Sequence, residues 1–233
     1  MISIFDINVV AFVILGYSIS WVELIGTIFG FACVWLTAKE KVSSWPIGLV
    51  NVVFFFILFY QIRLYSDMAL QVFFLFSSLY GWWAWTHPSR GLENKREELK
   101  ISKFNPEQRG FGIVSISLLT YAVYYFVKDI HIHFPNLFPE PALAPLRDAF
   151  TTVASIFAQM LLTRKKLEAW IIWVVVDIIA LIYYFQVGVL FVGVQYCIFT
   201  LIALNGYFHW KKEYDSYANR LDNWKVPTST FGA

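Results

Sequence analysis

The sequence predicts an all-α integral membrane protein: seven transmembrane helices set out as two parallel three-helix repeats with a linker helix between them, a 3+1+3 plan. Three observations carry that expectation. The first is composition: of 233 residues 58% are hydrophobic and 20% aromatic, only 15% are charged, and the mean hydropathy is +0.58. A soluble domain of this length needs more charge to cover its surface, whereas here several uninterrupted apolar windows approach the ~20 residues that cross a bilayer. The second is internal repetition. Sliding the chain by 125 residues aligns Lys39 with Arg164, Lys41 with Lys166, Trp45 with Trp170, Gln61 with Gln186, Gly81 with Gly206 and Trp85 with Trp210, without a gap. Shared apolar composition matches aliphatic positions by chance, but not tryptophan, glutamine, glycine and basic residues together. The third is the lopsided distribution of basic residues.

The elements follow in order. Residues 1–20, MISIFDINVVAFVILGYSIS, lack a basic start and a small-residue cleavage site, and their apolar run is short for a span. They are expected to form an N-terminal interfacial segment, as a helix or as an extension of the first span. Windows at 21–38, 45–62 and 67–86 make the first repeat, 21–86. Residues 87–147 hold a mixed-sign connector, SRGLENKREELKISKFNPEQRG, then the linker helix 111–128 and a proline-rich outer loop. Windows at 148–163, 168–186 and 189–210 make the second repeat, 148–210, and 211–233 reads as a polar, partly disordered cytoplasmic tail. All spans are read as helices, because a bilayer admits only helices or closed barrels and no alternating strand pattern is present. A three-helix unit ends on the side opposite its start, so the linker helix is what turns the second copy parallel to the first.

Seven spans place residues 39–44, 87–110, 164–167 and 211–233 on one side, with 15 of the 18 Lys and Arg residues. Arg63, Lys128 and Arg147 remain for the other. Basic residues gather on the cytoplasmic side, so the N-terminus is expected outside and the C-terminus inside.

Polar groups inside such spans are expensive and therefore informative. Asp177 lies in the middle of EAWIIWVVVDIIALIYYFQ and shares a helix face with Trp173 and Trp170, four and seven residues before it. In the first repeat Asn51 stands one position out of register with it. Gln71, Ser77 and Ser78, Gln159, Gln195, Thr200 and Asn205 are the other polar residues within spans. Asn and Gln also bond neighbouring helices, the expected role for Gln159, and tryptophans near span ends, such as Trp85, Trp210 and Trp45, commonly anchor at the membrane interface. Cys33 and Cys197 fall in apolar spans, as small packing residues. His131 and His133 have the look of a metal pair but lack a third ligand of suitable spacing. The net charge of +2 gives no basis for nucleic-acid binding, and no cofactor motif is present.

Several of these segments resemble one family. WIIWVVVD fits the W-x-x-W-x-x-x-[N/D] motif of the PnuC-type vitamin transporters, and GLVNV, QVFFLFSSLYGWWAW and LIALNG are similar to that family's second, third and seventh spans. The resemblance runs from Trp21 to Trp210. It implies a fold related to sugar transporters of the SWEET type, a bacterial inner-membrane location, and facilitated diffusion of nicotinamide riboside, which a cytoplasmic kinase then traps by phosphorylation. It also implies a homotrimer. Relatives that carry thiamine or riboflavin keep those vitamins open as alternatives.

The residue chemistry suits a flat pyridinium cation bearing a ribose. Trp170 and Trp173 offer stacking and cation–π attraction, Asp177 a counter-charge, and Asn51, Gln71, Gln195 and Asn205 hydrogen bonds, with Trp45 as the repeat partner of Trp170. No Lys or Arg lies within the windows of the two repeats to receive a phosphate, which favours the riboside over its mononucleotide. An enzyme pairing Asp177 with the outer histidines is disfavoured by half a bilayer of separation. A binding-only receptor stays open, although two similar halves favour a carrier that rocks about a shared site.

Overall fold

In the computed structural model, residues 4–14, 16–62, 65–94, 96–136, 141, 144–186, 188 and 190–225 are described. These form a hairpin, β1 (Val10–Ile14) and β2 (Tyr17–Ser20), followed by α1 (Trp21–Ala38), α2 (Ser44–Gln61), α3 (Tyr65–Thr86), α4 (Pro106–Lys128), a single turn α5 (Ile130–His133), α6 (Pro145–Thr163), α7 (Glu168–Gln186) and α8 (Leu190–Lys225). Each expected span coincides with one long helix. α1, α2, α4 and α7 are long and apolar enough to cross a membrane. α3 and α6 bury several polar side chains each, Gln71 and Ser78 in the first, Ser155, Gln159 and Thr163 in the second.

The N-terminal segment is not a helix. β1 and β2 pair antiparallel, with Ile14 opposite Tyr17 and Phe12 opposite Ile19. Valine, isoleucine, phenylalanine and tyrosine favour the extended backbone, and Gly16 supplies the left-handed turn residue at φ 81°. The amide nitrogen of Ile7 donates to Gln61 Oε1 at 3.0 Å, and Gln61 Nε2 donates back to the Phe5 carbonyl, so the segment is tied to the end of α2. Two boundaries also move. α4 starts at Pro106 because Asn105 and Gln108 form a reciprocal capping box. α8 continues to Lys225 because neither proline nor glycine interrupts residues 207–226. Residues 226–233 of the expected tail lie outside the described residues.

Packing follows the repeat. α1, α2 and α3 pack in sequence, as do α6, α7 and α8; α1 meets α8, α3 meets α6, and α4 lies along α6. Equivalent positions meet equivalent partners. Trp45 stands edge-on to Trp85 at 5.1 Å and Trp170 edge-on to Trp210 at 5.4 Å, while Trp85 and Trp210 meet at 5.9 Å. The Trp85 indole donates to the Leu162 carbonyl at 3.3 Å, and its counterpart Trp210 to the Thr37 carbonyl at 3.2 Å. Each third helix thus grips the end of the other repeat's first helix. Trp85 and Trp210 are fully buried and Trp45 nearly so, which corrects the expectation of interfacial anchors. In lipid the helices gain little from leaving their surroundings, so close packing and interhelical hydrogen bonds must hold them.

The connector is also more than a solvated link. Leu99 donates its amide to the Trp85 carbonyl, Ser102 to Lys165 and Leu167 to Ser102, and Ile101 is buried among the tryptophans. We call this the basic end of the bundle, where α1, α3 and α6 finish and α2, α4 and α7 begin.

Candidate functional site

The helical repeat of α7 brings Trp173 and Asp177 onto one face, and α3, which ends at the basic end where α7 begins, reaches that face through a ring contact. The Trp173 ring meets Phe74 of α3 at 6.5 Å. From that contact Asp177 lies one turn further from the basic end, and so, along α3, does Gln71. Both are buried, at 7% exposure, as is Ser78 on the same face of α3. Among the described residues neither the Asp177 carboxylate nor the Gln71 amide has a hydrogen-bond or ion-pair partner. A carboxyl group held without a partner in an apolar wall is poised to meet a cation or hydroxyl donors, whose arrival offsets the cost of its charge.

The remaining candidates divide. Asn51 donates Nδ2 to the Gly26 carbonyl at 2.8 Å, tying α2 to α1, and a Cβ at Gly30 would stand only 2.9 Å from that nitrogen. Its carbonyl oxygen is left to accept. Gln195 is half-buried on α8 beside Tyr196, whose ring stacks on Tyr184 of α7 at 5.5 Å. Trp45 and Trp170 lie in the tryptophan cluster at the basic end, each pressed against the glycine of its own third helix, Gly81 or Gly206. Both indole N–H groups are buried without a hydrogen-bond partner, a property that Trp85 and Trp210 do not share. Asn205 is exposed, on a face of α8 away from the buried Ala203 and Gly206, and is not brought to the others.

Sequence reasoning missed Phe74, and the signal was present: it stands three residues from Gln71 and four from Ser78, on the stripe that α3 turns inward. It also missed Glu40 and Lys165, which repeat at the same interval of 125 as the tryptophans. A separate groove of about 390 Å³ lies between α4 and α6, lined by Phe104, Phe111, Phe157, Met160 and Arg164. It touches none of the candidate residues.

Comparison with known proteins places this geometry. The nicotinamide riboside transporter PnuC of Escherichia coli (strain K12) is 37% identical over 211 residues, 84% of this chain and 87% of that protein. The riboflavin/roseoflavin transporter RibM of Streptomyces davaonensis is 25% identical over 204 residues, 88% of this chain and 91% of its own. The crystal structure of the vitamin B3 transporter PnuC superposes with a TM-score of 0.59 at 24% identity, covering 84% of this chain and 83% of that one, and so shares the fold. The family described as nicotinamide mononucleotide transporter matches residues 20–212, and this chain therefore belongs to that family of membrane transporters.

Proposed function

We propose that this protein carries nicotinamide riboside into the bacterial cytoplasm by facilitated diffusion. The observation that carries the reading is the buried, partnerless Asp177 carboxylate one turn from Trp173. A pyridinium cation stacked on an indole gains about 0.5–2 kcal/mol, and a carboxylate nearby supplies the counter-charge. Gln71, Gln195 and the free Asn51 oxygen bond the ribose and carboxamide, and Trp170 and Trp45 close the basic-end wall with their spare N–H groups. Asn205 serves only if α8 turns on its axis during transport.

The family's description names the mononucleotide, while the Escherichia coli relative is named for the riboside. A phosphate entering this site would meet no cation, because no Lys or Arg falls within the windows that form the two repeats. Its desolvation would go unrepaid, and the riboside is favoured. The seven long helices form the 3+1+3, SWEET-like arrangement with parallel repeats, a reading supported by the matched contacts at equivalent positions. The halves rock to alternate access, the basic end faces the cytoplasm, the N-terminus lies outside, and a cytoplasmic riboside kinase traps the cargo. Three copies assemble, following the family resemblance.

Calorimetric titration of the purified protein with nicotinamide riboside, nicotinamide mononucleotide, thiamine and riboflavin tests the reading. Saturable micromolar or tighter binding of the riboside alone supports it. Binding of riboflavin instead would move the protein toward the RibM-like relative and overturn the substrate. Tight riboside binding with no flux into vesicles would make it a receptor.

A further inference from the structure

At the basic end two residues of opposite charge, 125 positions apart, meet each other: Lys165 Nζ lies 3.4 Å from Glu40 Oε2, and both side chains are at most 1% exposed. Around them are Glu98 of the connector at 3.9 Å from Lys165, His209 of α8 at 3.8 Å from Glu40, and the face of Trp85, 4.3 Å from the Lys165 ammonium. The flanking bonds from Trp85 to Leu162 and from Trp210 to Thr37 cross between the same two repeats.

The backbone indicates that these side chains are there for a purpose. Glu40 and Lys165 each occupy the left-handed position just past a helix end, at φ 56° and 46°. The same two bonds close both ends, Lys41 to Leu36 and Glu40 to Thr37 in one, Lys166 to Leu161 and Lys165 to Leu162 in the other. Glycine is the residue such a cap prefers, so a long charged side chain is kept at both places against local preference.

We propose that the Glu40–Lys165 pair, with the two indole bonds beside it, is a latch that holds the repeats together at the basic end, and that its rupture is the step that opens the site there. The proposal rests on the carrier reading, since a latch matters only if the ends part. A pair inside one rigid body could be replaced by packing alone. This one joins the first helix of one repeat to that of the other, across the seam along which rocking must divide them. Removing Glu40 leaves the buried Lys165 ammonium with only Glu98, at 3.9 Å, which weakens the closed state far more than the open one, where water reaches both.

Hydrogen exchange of the full-length protein in detergent, read by mass spectrometry, tests it with Glu40→Gln and with the swap Glu40→Lys/Lys165→Glu made in a Glu98→Gln background. We expect exchange at residues 39–42, 99–103 and 164–167 to quicken at least about tenfold in Glu40→Gln, with the opposite end, residues 17–23 and 183–186, unchanged. The swap should restore protection, because the two positions are equivalent and only their charges are exchanged. Unchanged exchange in Glu40→Gln overturns the latch. Equal acceleration at both ends also overturns it, by reducing the pair to general stability. Failure of the swap to rescue would show that charge complementarity is not what holds the ends. If the pattern appears as expected while wild-type vesicles pass no riboside, the latch stands and the carrier reading fails.

Discussion

One substitution, made at three glycines, tests whether the tryptophan cluster is as closely packed as the geometry requires. A Cβ added at Gly81 would lie 2.2 Å from Trp45 Cη2, with two more ring atoms at 2.5 and 2.6 Å, whereas at Gly206 the nearest atom of Trp170 is at 2.8 Å. To reach an ordinary contact of 3.4 Å, Trp45 would retreat about 1.2 Å and Trp170 about 0.6 Å. Neither has free space behind it: Trp45 is wedged edge-on against Trp85, and Trp170 against Trp210. Overpacking of this kind costs ~1–3 kcal/mol, and the larger displacement puts Gly81→Ala at or above the top of that range and Gly206→Ala near its middle. At Gly112 in α4 nothing lies within 4 Å of the added carbon. There alanine removes only backbone freedom and should be neutral or stabilising, by up to about 1 kcal/mol. The assay is thermal unfolding of the three variants in one detergent. The ~2–4 °C per kcal/mol found for soluble domains of this size puts the Gly81→Ala fall at about 6–12 °C, with Gly206→Ala between it and wild type. If Gly81→Ala melts with wild type, or below neither of the other two, the packing argument is refuted.

Other outcomes follow from the same contacts. Asp177→Asn keeps the shape of the site and removes its charge, and we expect riboside binding weakened at least about tenfold by calorimetry, a loss of about 1.4 kcal/mol, with the melting temperature held or raised. Trp173→Ala should weaken binding by about 0.5–2 kcal/mol through lost stacking, and near-normal binding by both variants would sink the proposed site. Asn51→Ala breaks the tie to the Gly26 carbonyl and should cost about 1 kcal/mol of stability, read by unfolding. Burial, reinforced by the hydrogen bond to Glu23, raises the Tyr17 phenol above its ordinary value. The folded state therefore keeps a proton that the unfolded chain releases above a pH of about 10, so this contribution to stability is full below that value and declines above it. Tyr17→Phe should flatten that alkaline decline in an unfolding series against pH.

How much was legible beforehand differed by kind of signal. Helices announced by long apolar windows fell where expected, because bilayer thickness fixes their length and nothing in the tertiary fold competes. The hairpin at 10–20 did not, since a short apolar run reads equally as strand or helix turn, and Gly16 was the only local clue. Trp85 and Trp210 were misjudged because the end of a span reads as membrane interface unless one knows that the connector folds back over it and buries Ile101 there. For the candidate site, helical phase alone put Trp173 beside Asp177. What phase within one helix could not give is which side chain of another helix meets that face, and so Phe74, whose ring reaches Trp173 from α3.

The two repeats match closely where they build the scaffold and depart at the proposed site and where they meet each other. Trp45 and Trp170, Trp85 and Trp210, and the glycines beneath them keep their partners at the common interval. The mid-depth polar groups, Asn51 and Asp177, are one position out of register, and Glu40 faces Lys165. Physical reasons exist for both departures. A residue near a two-fold axis meets its own equivalent, so an exact duplicate would set glutamate against glutamate in a buried place where like charges repel strongly. Only divergence to opposite charges makes that contact attractive. A ligand with a charged ring at one end and a sugar at the other has no two-fold symmetry either, and a perfectly symmetric pair of carboxylates would bind its cation in two competing poses. One acid with one amide, offset along the helices, selects a single orientation. Replacing Asp177 by Asn and Asn51 by Asp together therefore should not restore binding to the wild-type level, even though the charge is conserved, because the carboxylate would then sit against the Gly26 carbonyl where the amide now donates. Full recovery of riboside affinity in that double variant, by calorimetry, would show that only the net charge of the layer matters and not its register.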